Sequence, residues 1–132
     1  MSSPHTEKLE QQLGADPTSP SFVDLARAYL HDGQNDKAVA ICQQGLTHHP
    51  RSVIGRVLWG KALIAMGRAA EAMGQFDLAV AVDRENPQAY FLICELLLRK
   101  GLYRSAMPLL RKAAQLRPND ARLKQWLAEV GR

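Results

Sequence analysis

The fold is decided by residues 22–50, FVDLARAYLHDGQNDKAVAICQQGLTHHP, which hold two apolar helical stripes on either side of a glycine. The first stripe runs from Phe22 to Tyr29 with the i, i+3, i+4, i+7 spacing of one helix face. Gly33 follows, and a glycine can take the left-handed conformation that ends a helix. A second stripe then runs from Ala38 to Leu46. The stretch therefore predicts two helices joined by a tight turn.

The same arrangement recurs along the chain at a fixed spacing of 34 residues. No stretch shows the period-two alternation of a half-buried strand. Small residues face the same place of each repeat, at Ala26, Gly60 and Cys94, which lets the two helices of a repeat approach closely. The markers of the period are Gly33, Gly67 and Gly101, Ala38, Ala72 and Ala106, and Pro50 and Pro118.

This pattern resembles the tetratricopeptide repeat family, whose unit is a helix–turn–helix of about 34 residues. The resemblance implies an all-α fold, a right-handed superhelical solenoid of helix–turn–helix repeats. Two places depart from the family pattern, Arg56 in place of the large aromatic and Arg84 in place of the closing proline. The matches are Phe22, Leu25, Ala26, Tyr29, Gly33, Ala38, Cys42, Gly45 and Pro50; Trp59, Gly60, Gly67, Ala72, Phe76 and Ala79; and Tyr90, Ile93, Cys94, Gly101, Ala106, Leu110, Ala113 and Pro118.

Three segments are expected. Residues 19–120 hold three tetratricopeptide repeats, and residues 121–132 form a capping helix with an apolar stripe that includes Leu123 and Trp126. Residues 1–18 form a short helix or a tail, because Leu9 and Leu13 lie one helical turn apart. Helix starts are expected where a capping side chain precedes the helix, at Ser19–Pro20, Asn86–Pro87 and Asp120. Pro108 falls early in the second helix of the third repeat, where we expect a slight kink at most.

Composition and motifs exclude several classes of function. The net charge of +4 favours acidic partners only weakly. Cys42 and Cys94 lie in apolar patterns and are expected to be reduced core residues, which favours a cytoplasmic location together with the lack of a signal peptide or membrane span. No catalytic motif or metal-ligand spacing occurs, and His48 and His49 are expected to be exposed at a helix end. We expect no enzyme activity, no cofactor and no metal.

Function must then come from a surface, and solenoid repeats present an extended concave one. Arg27 and Lys61 hold equivalent places in neighbouring repeats, so we expect them side by side, where they favour a carboxylate-bearing ligand or merely solvate the helix face. The apolar groove residues form an exposed patch or pack against a neighbouring helix. By resemblance, the groove residues are Val23, Arg27, Leu30, Val57, Lys61, Ile64, Phe91, Glu95, Leu98, Arg122 and Gln125.

The main hypothesis is a protein-interaction module that holds a peptide or amphipathic helix of a partner protein, acidic segments included. The alternative is a small bacterial secretion- or pilus-type chaperone or assembly factor. Nucleic-acid binding is less expected because the cations fall on different faces, and the chain is expected to be a monomer or a weak homo-oligomer. Chaperone-tail clamps in the family use Lys, Asn and Arg at five places, which hold Val23, Arg27, Leu58, Gln88 and Leu92 here, so that clamp is not expected.

Overall fold

The computed structural model describes residues 3–131, and within them it has eight α-helices and no strand. The all-α fold class is thereby confirmed. The N-terminal segment, for which a helix and a tail were both open, contains a helix. In chain order the helices are α1 (Pro4–Ala15), α2 (Phe22–His31), α3 (Asn35–His48), α4 (Val53–Ala65), α5 (Ala69–Ala81), α6 (Pro87–Arg99), α7 (Tyr103–Leu116) and α8 (Ala121–Val130).

The helices form two compact units, the first ending at Ala79 and the second beginning at Val80. In the first unit α1 packs on α2, α2 packs on α3 and α4, and α3 packs on α4. In the second unit α6 packs on α7, and α7 packs on α8. Within each unit these helices pack on their neighbours in the chain, as expected of helix–turn–helix repeats.

The three glycines of the 34-residue period end α2, α4 and α6. Gly33, Gly67 and Gly101 have φ angles of 74°, 76° and 72°, the left-handed region that a residue with a Cβ rarely adopts. After α2, the amide of Gln34 donates to the carbonyl of Tyr29 at 2.8 Å, and the Gly33 amide donates to that of Leu30 at 3.2 Å. The same pair of bonds follows the other two glycines, so each turn is a Schellman motif that satisfies the last carbonyls of a helix.

Two of the three predicted helix starts are confirmed. The side chain of Asn86 accepts the amide of Gln88, and that of Asp120 accepts the amide of Leu123. The start predicted at Ser19 is wrong, since α2 begins at Phe22. The Ser19 hydroxyl accepts the amide of Ser21 at 3.2 Å, and this local turn delays the helix by two residues.

The helix pairs of the first unit approach most closely at glycines. A Cβ atom added at Gly45 would lie within the ring of Phe22, and one added at Gly60 would collide with the ring of Phe76. The small residues predicted to permit this approach, Gly60 among them, are all buried. Both cysteines are also buried, as predicted, and burial raises the pKa of each thiol to about 12.

Helix α1 is held on α2 by apolar and polar contacts. Leu9 and Leu13 are buried in one cluster with residues of α2, Tyr29 among them. The Tyr29 hydroxyl donates to the carboxylate of Glu10 at 2.8 Å. The buried Thr6 hydroxyl lies 3.3 Å from a carboxylate oxygen of Asp32, to which it donates. Helix α1 therefore shields one side of α2 from water.

Candidate functional site

The predicted groove residues of α2 share one helix face, because Val23, Arg27 and Leu30 are spaced by i, i+4 and i+7. Val23 and Leu30 are half-buried and pack against the core, whereas the Arg27 side chain is exposed. The apolar residues at the ends of the face therefore support the fold, and the Arg27 guanidinium between them is exposed to solvent.

Helix α4 repeats this arrangement with Val57, Lys61 and Ile64. Lys61 is exposed, and no hydrogen bond or ion pair of its side chain is found among the described residues. Ile64 is half-buried, but Val57 is only 9% exposed. The expectation that Val57 contributes to an exposed apolar patch is wrong, because α4 packs against both α2 and α3, which exclude water from its apolar side chains.

Two apolar groove residues of α6 are also buried, contrary to the expectation of an exposed apolar patch. Phe91 is 6% exposed and Leu98 is 9% exposed, so neither belongs to an exposed apolar patch. Phe91 is covered within the second unit by Arg122 and Trp126 of α8. Glu95 is half-buried and forms an ion pair of 2.7 Å with Arg99, one helical turn later. Their assignment to partner binding stays a prediction.

An open cavity of about 500 Å³ lies on the first unit, and we call it the Arg27 cavity. Its walls combine apolar side chains of α2 and α4 with cationic groups, and no Asp or Glu is among its lining residues. Arg51 joins Arg27 there, whereas Lys61 does not line the cavity. The lining residues are Pro20, Phe22, Val23, Arg27, His49, Pro50, Arg51, Ser52 and Ile54.

Arg27 is paired only weakly. Its guanidinium lies 3.5 Å from the carboxylate of Asp24, three residues earlier on α2, and both side chains are more than half exposed. An ion pair this exposed contributes little, because water screens both charges. A carboxylate from a ligand can therefore replace that of Asp24 at small cost.

His49 is a wall of the Arg27 cavity rather than the exposed helix-end residue that was expected. Its ring stacks on that of Phe22, with centroids 5.8 Å apart and planes 17° from parallel, and it is half-buried. Its Nε2 lies 2.6 Å from the carbonyl oxygen of Thr18, so Nε2–H is assigned as the donor. The contact holds the segment before α2 against the end of α3. The neighbouring His48 is exposed, as predicted.

A second open cavity, of about 520 Å³, lies between α6 and α8 of the second unit. We call it the Arg122 cavity. The guanidinium carbon of Arg122 lies 4.6 Å from the ring centroid of Phe91 and 5.3 Å from that of Trp126. The lining residues are Glu95, Leu98, Arg99, Arg122, Gln125, Trp126 and Glu129.

Neither cavity brings together three metal-ligating side chains of the described residues. Within residues 3–131, no group of three or more His, Cys, Asp or Glu side chains is placed to hold a metal ion. A third open cavity, about 410 Å³ between α1 and α2, brings His5 and His31 near Asp24 and Asp32, but it forms no such group. No helix in the described part of the chain is long and apolar enough to cross a membrane.

Comparison with known families agrees with this repeat architecture. A sequence model described as a tetratricopeptide repeat matches residues 63–130, more than half of the chain, and a second one matches residues 21–54. The chain belongs to the tetratricopeptide repeat family. Proteins of this family are generally non-enzymatic scaffolds for protein–protein interaction.

One curated relative resembles the chain over most of its length. The chain is 28% identical over 127 residues to the cytochrome c-type biogenesis protein CycH of Rhizobium meliloti (strain 1021). That match covers 93% of the chain and 32% of CycH, so the chain spans about a third of this curated relative. The chain is therefore similar to one part of a longer protein.

Two solved structures show the fold. TTC0263, a thermophilic tetratricopeptide repeat protein of Thermus thermophilus, has a TM-score of 0.77 at 19% identity, covering 97% of this chain and 72% of that one. The first tetratricopeptide domain of Spaghetti (RPAP3), bound to an HSP90 peptide, has a TM-score of 0.67 at 18% identity, covering 87% and 94%. The fold class is accordingly an all-α helical-repeat solenoid.

Several residues of the two cavities escaped the sequence reasoning. Arg51 and Ile54 come from the link and first turn after Pro50, which was interpreted only as the end of a repeat. Trp126 was assigned to the capping stripe alone. The 34-residue period could have indicated Ile54, since it is equivalent to Pro20, another wall of the same cavity. No sequence signal indicates that Arg122 stacks on two rings.

Proposed function

We propose that this chain is a protein-interaction scaffold whose first unit holds a segment of a partner protein in the Arg27 cavity. The observation that carries the proposal is the composition of that cavity. Arg27 and Arg51 stand beside the apolar side chains of Val23 and Ile54, and no acidic residue lines the cavity. Such a surface suits a segment that carries an acidic side chain next to an apolar one.

The size of the cavity supports the same ligand class. Cavities that bind small ligands or single side chains typically measure roughly 300–1,000 Å³, and this one measures about 500 Å³. That volume accommodates one or two side chains of a peptide. Because the cavity is open to solvent, the rest of the segment can continue along the helix faces that carry Arg27 and Lys61.

The test uses a photo-crosslinking amino acid at Val23, in extract of the source cells. We expect it to capture a partner through a peptide that contains Asp or Glu. The same amino acid at Leu78, which is 49% exposed on α5, serves as the control and should not capture that peptide. Capture of the same peptides from both positions would contradict binding at the Arg27 cavity.

A charge-reversal pair provides the second arm of the test. Arg27→Glu with Lys61→Glu should lower capture about tenfold, the change expected when a hydrogen bond to a charged group is lost. Lys8→Glu with Lys37→Glu makes the same change in net charge on exposed positions of α1 and α3. Equal capture by these two double variants would show that only overall charge matters.

The alternative role, a secretion- or pilus-type chaperone, is not favoured by the comparisons. The biogenesis role in the name of CycH belongs to a protein about three times longer than the matching part. Cytoplasmic location, oligomeric state and the acidic character of the partner stay predictions. The crosslinking experiment tests the last of these, the acidic character of the partner.

A further inference from the structure

Arg122 on α8 lies against two aromatic rings. Its guanidinium carbon lies 4.6 Å from the ring centroid of Phe91 and 5.3 Å from that of Trp126, and the two centroids are 6.2 Å apart with the planes tilted by 56°. A guanidinium that stacks on aromatic faces is attracted through its plane, which leaves its N–H groups at the edge available. The two rings therefore hold the Arg122 side chain in place without using its donors.

Those donors have no protein acceptor. Among the described residues, no hydrogen bond or ion pair of Arg122 is found, and the residue is exposed. A guanidinium has five N–H donors in a planar fork that matches the two oxygens of a carboxylate. Because the rings already restrict the side chain, binding an anion would cost less conformational entropy here than at a mobile arginine.

The cavity beside Arg122 has the polarity of a small binding site. The carboxylate of Glu95, on the α6 side of the cavity, is neutralised by the Arg99 guanidinium at 2.7 Å. Glu129 is the other acidic residue of the lining, and Leu98 and Trp126 supply apolar surface. The cavity thus combines the Arg122 cation, the Glu95–Arg99 ion pair and the Glu129 carboxylate with an apolar wall.

The charge of the second unit points to an acidic ligand. From position 80 onward the sequence contains ten Lys and Arg against five Asp and Glu, whereas positions 1–79 contain seven against eight. The whole excess of +4 therefore belongs to the second unit. A basic surface attracts acidic partners over a distance of about 10 Å at moderate salt, before any contact forms.

We propose that the Arg122 cavity binds the carboxylate of an acidic side chain in a partner protein, with a neighbouring apolar side chain against Leu98 and Trp126. The inference rests on the proposed function only in taking the partner to be a protein, since it uses none of the residues of the Arg27 cavity. A nucleic acid fits less well, because Phe91 is buried and Arg122 lies against the Trp126 ring, on which a base would otherwise stack.

The test measures binding of defined probes to the full chain by NMR, with the Trp126 indole and Arg122 Nε–H signals as reporters. The probe is acetyl-Ala-Leu-Glu-Leu-Glu-Ala-amide, and its control replaces both Glu by Gln. We expect the acidic peptide to shift both signals and to bind about tenfold more tightly than the Gln peptide. Equal affinity of the two peptides would overturn the proposal, and so would tighter binding of a single-stranded oligonucleotide of six thymidines.

Variants separate binding from structural support by the stacked side chain. Arg122→Gln should lose about tenfold in affinity for the acidic peptide, and Arg122→Lys, which keeps the charge but not the planar fork, should lose less. Arg111→Gln removes the same charge from an exposed position of α7 and should bind like the parent chain. Thermal unfolding of each variant establishes that binding is compared between folded chains. Unchanged affinity in a folded Arg122→Gln chain would assign Arg122 to structural support alone.

The two proposals fail independently. If the Arg27→Glu/Lys61→Glu variant loses partner capture while Arg122→Gln keeps peptide affinity, only the proposal for the Arg122 cavity fails. If the peptide binds at Arg122 but crosslinking at Val23 captures no partner, only the proposal for the Arg27 cavity fails.

Discussion

The ring of Phe76 on α5 occupies the space in which a side chain at Gly60 on α4 would begin. In the first repeat the equivalent positions hold Ala26 and Cys42, which are buried in one cluster. A glycine therefore faces a phenylalanine in this helix pair, whereas an alanine faces a cysteine in the preceding pair. A larger side chain at one of the two positions is matched by a smaller one at the other, because a close-packed core leaves a fixed volume to fill.

Gly60→Ala should therefore destabilise the chain by about 1–3 kcal/mol, the usual cost of overpacking a core, although alanine favours a helix more than glycine does. Phe76→Leu, the residue type at the equivalent Leu110, should also destabilise the chain when made alone. Combined, the two changes should cost less than the sum of the single costs, because the smaller side chain leaves room for the new methyl group. Urea unfolding measures all three, and strict additivity would contradict direct packing of residue 60 on the Phe76 ring.

Gly67→Ala should destabilise the chain for a different reason, the backbone conformation. The φ angle of Gly67 is 76°, and nothing lies within 4 Å of the place of its missing Cβ. The expected loss is about 1–2 kcal/mol, the cost of the left-handed conformation for an L residue. The free energy of unfolding, taken from the same urea experiment, measures it.

Gly74→Ala is the matched control for this prediction. Gly74 lies within α5, also with open space around the place of its Cβ, and its φ angle is negative. Alanine should stabilise the helix there by about 0.5–1 kcal/mol relative to glycine. The opposite signs at two open positions separate conformational strain from crowding. A loss of the same size at both would show that crowding or some other effect dominates.

The stability of the chain should fall in alkaline solution. The pKa of Cys42 and of Cys94 rises from 9.0 to about 12 by burial, and that of Tyr29 rises from 10.0 to about 12 by burial and by the carboxylate of Glu10. A raised pKa means that the folded state holds its proton more tightly than the unfolded state does. The stabilisation is present below about pH 9 and is lost as the pH rises toward 12.

Urea unfolding between about pH 8 and pH 12 tests this prediction. The midpoint should decrease across the range, and the double variant Cys42→Ala/Cys94→Ala should show a shallower decrease, whatever its stability at the lower pH. Identical pH slopes for the parent and the double variant would show that the thiols titrate alike in the folded and unfolded chains.

The two thiols should resist modification in the native protein at about pH 8. Both are buried and protonated, and the thiolate is the reactive form. Labelling with a disulfide reagent should therefore follow the population of open chain, rising with urea in step with unfolding. Rapid labelling of either cysteine without denaturant would contradict its burial. Cys42→Ser and Cys94→Ser single variants assign the signal to one thiol.

Helix α1 should loosen when Leu13 is truncated. Leu13 is 5% exposed in the cluster that joins α1 to α2, so Leu13→Ala should cost about 2–5 kcal/mol of local or global stability. Hydrogen exchange should become faster first in α1, because α2 is the one helix of the described residues on which α1 packs extensively. Leu78→Ala, at a position that is 49% exposed, should leave exchange in α1 unchanged. Faster exchange at every helix alike would indicate that α1 unfolds only with the rest.

Local signals predicted those features that depend on few residues close in the chain. Gly33, Gly67 and Gly101 end helices as predicted because the left-handed turn depends on the backbone of a single residue. Asn86 and Asp120 cap helices as predicted because a cap reaches only two or three residues ahead. The helix start predicted at Ser19 was wrong because the Ser19 hydroxyl forms a turn with Ser21. This turn competes with a helix cap and is equally local.

The candidate sites were predicted less well. The cationic members of the predicted groove, Arg27, Lys61 and Arg122, are exposed, but the apolar members Val57, Phe91 and Leu98 are buried. Helix periodicity states which residues share a face, and the burial of that face depends on the helix that lies opposite. The difference in burial between the apolar and charged members of one face therefore became visible only in the tertiary structure.

The sequence by itself determined the repeat, the all-α class, the turns and the small residues at the helix contacts, because each follows from spacing along the chain or from the conformational freedom of one residue. Only the tertiary structure decided that Phe76 fills the space beside Gly60, that Arg51 joins Arg27 in one cavity, and that the Arg122 guanidinium lies against the rings of Phe91 and Trp126. These contacts join residues 16 to 35 positions apart or on different helices, apart from Arg122 and Trp126 on α8. Their geometry depends on how the helices pack, which no local pattern specifies.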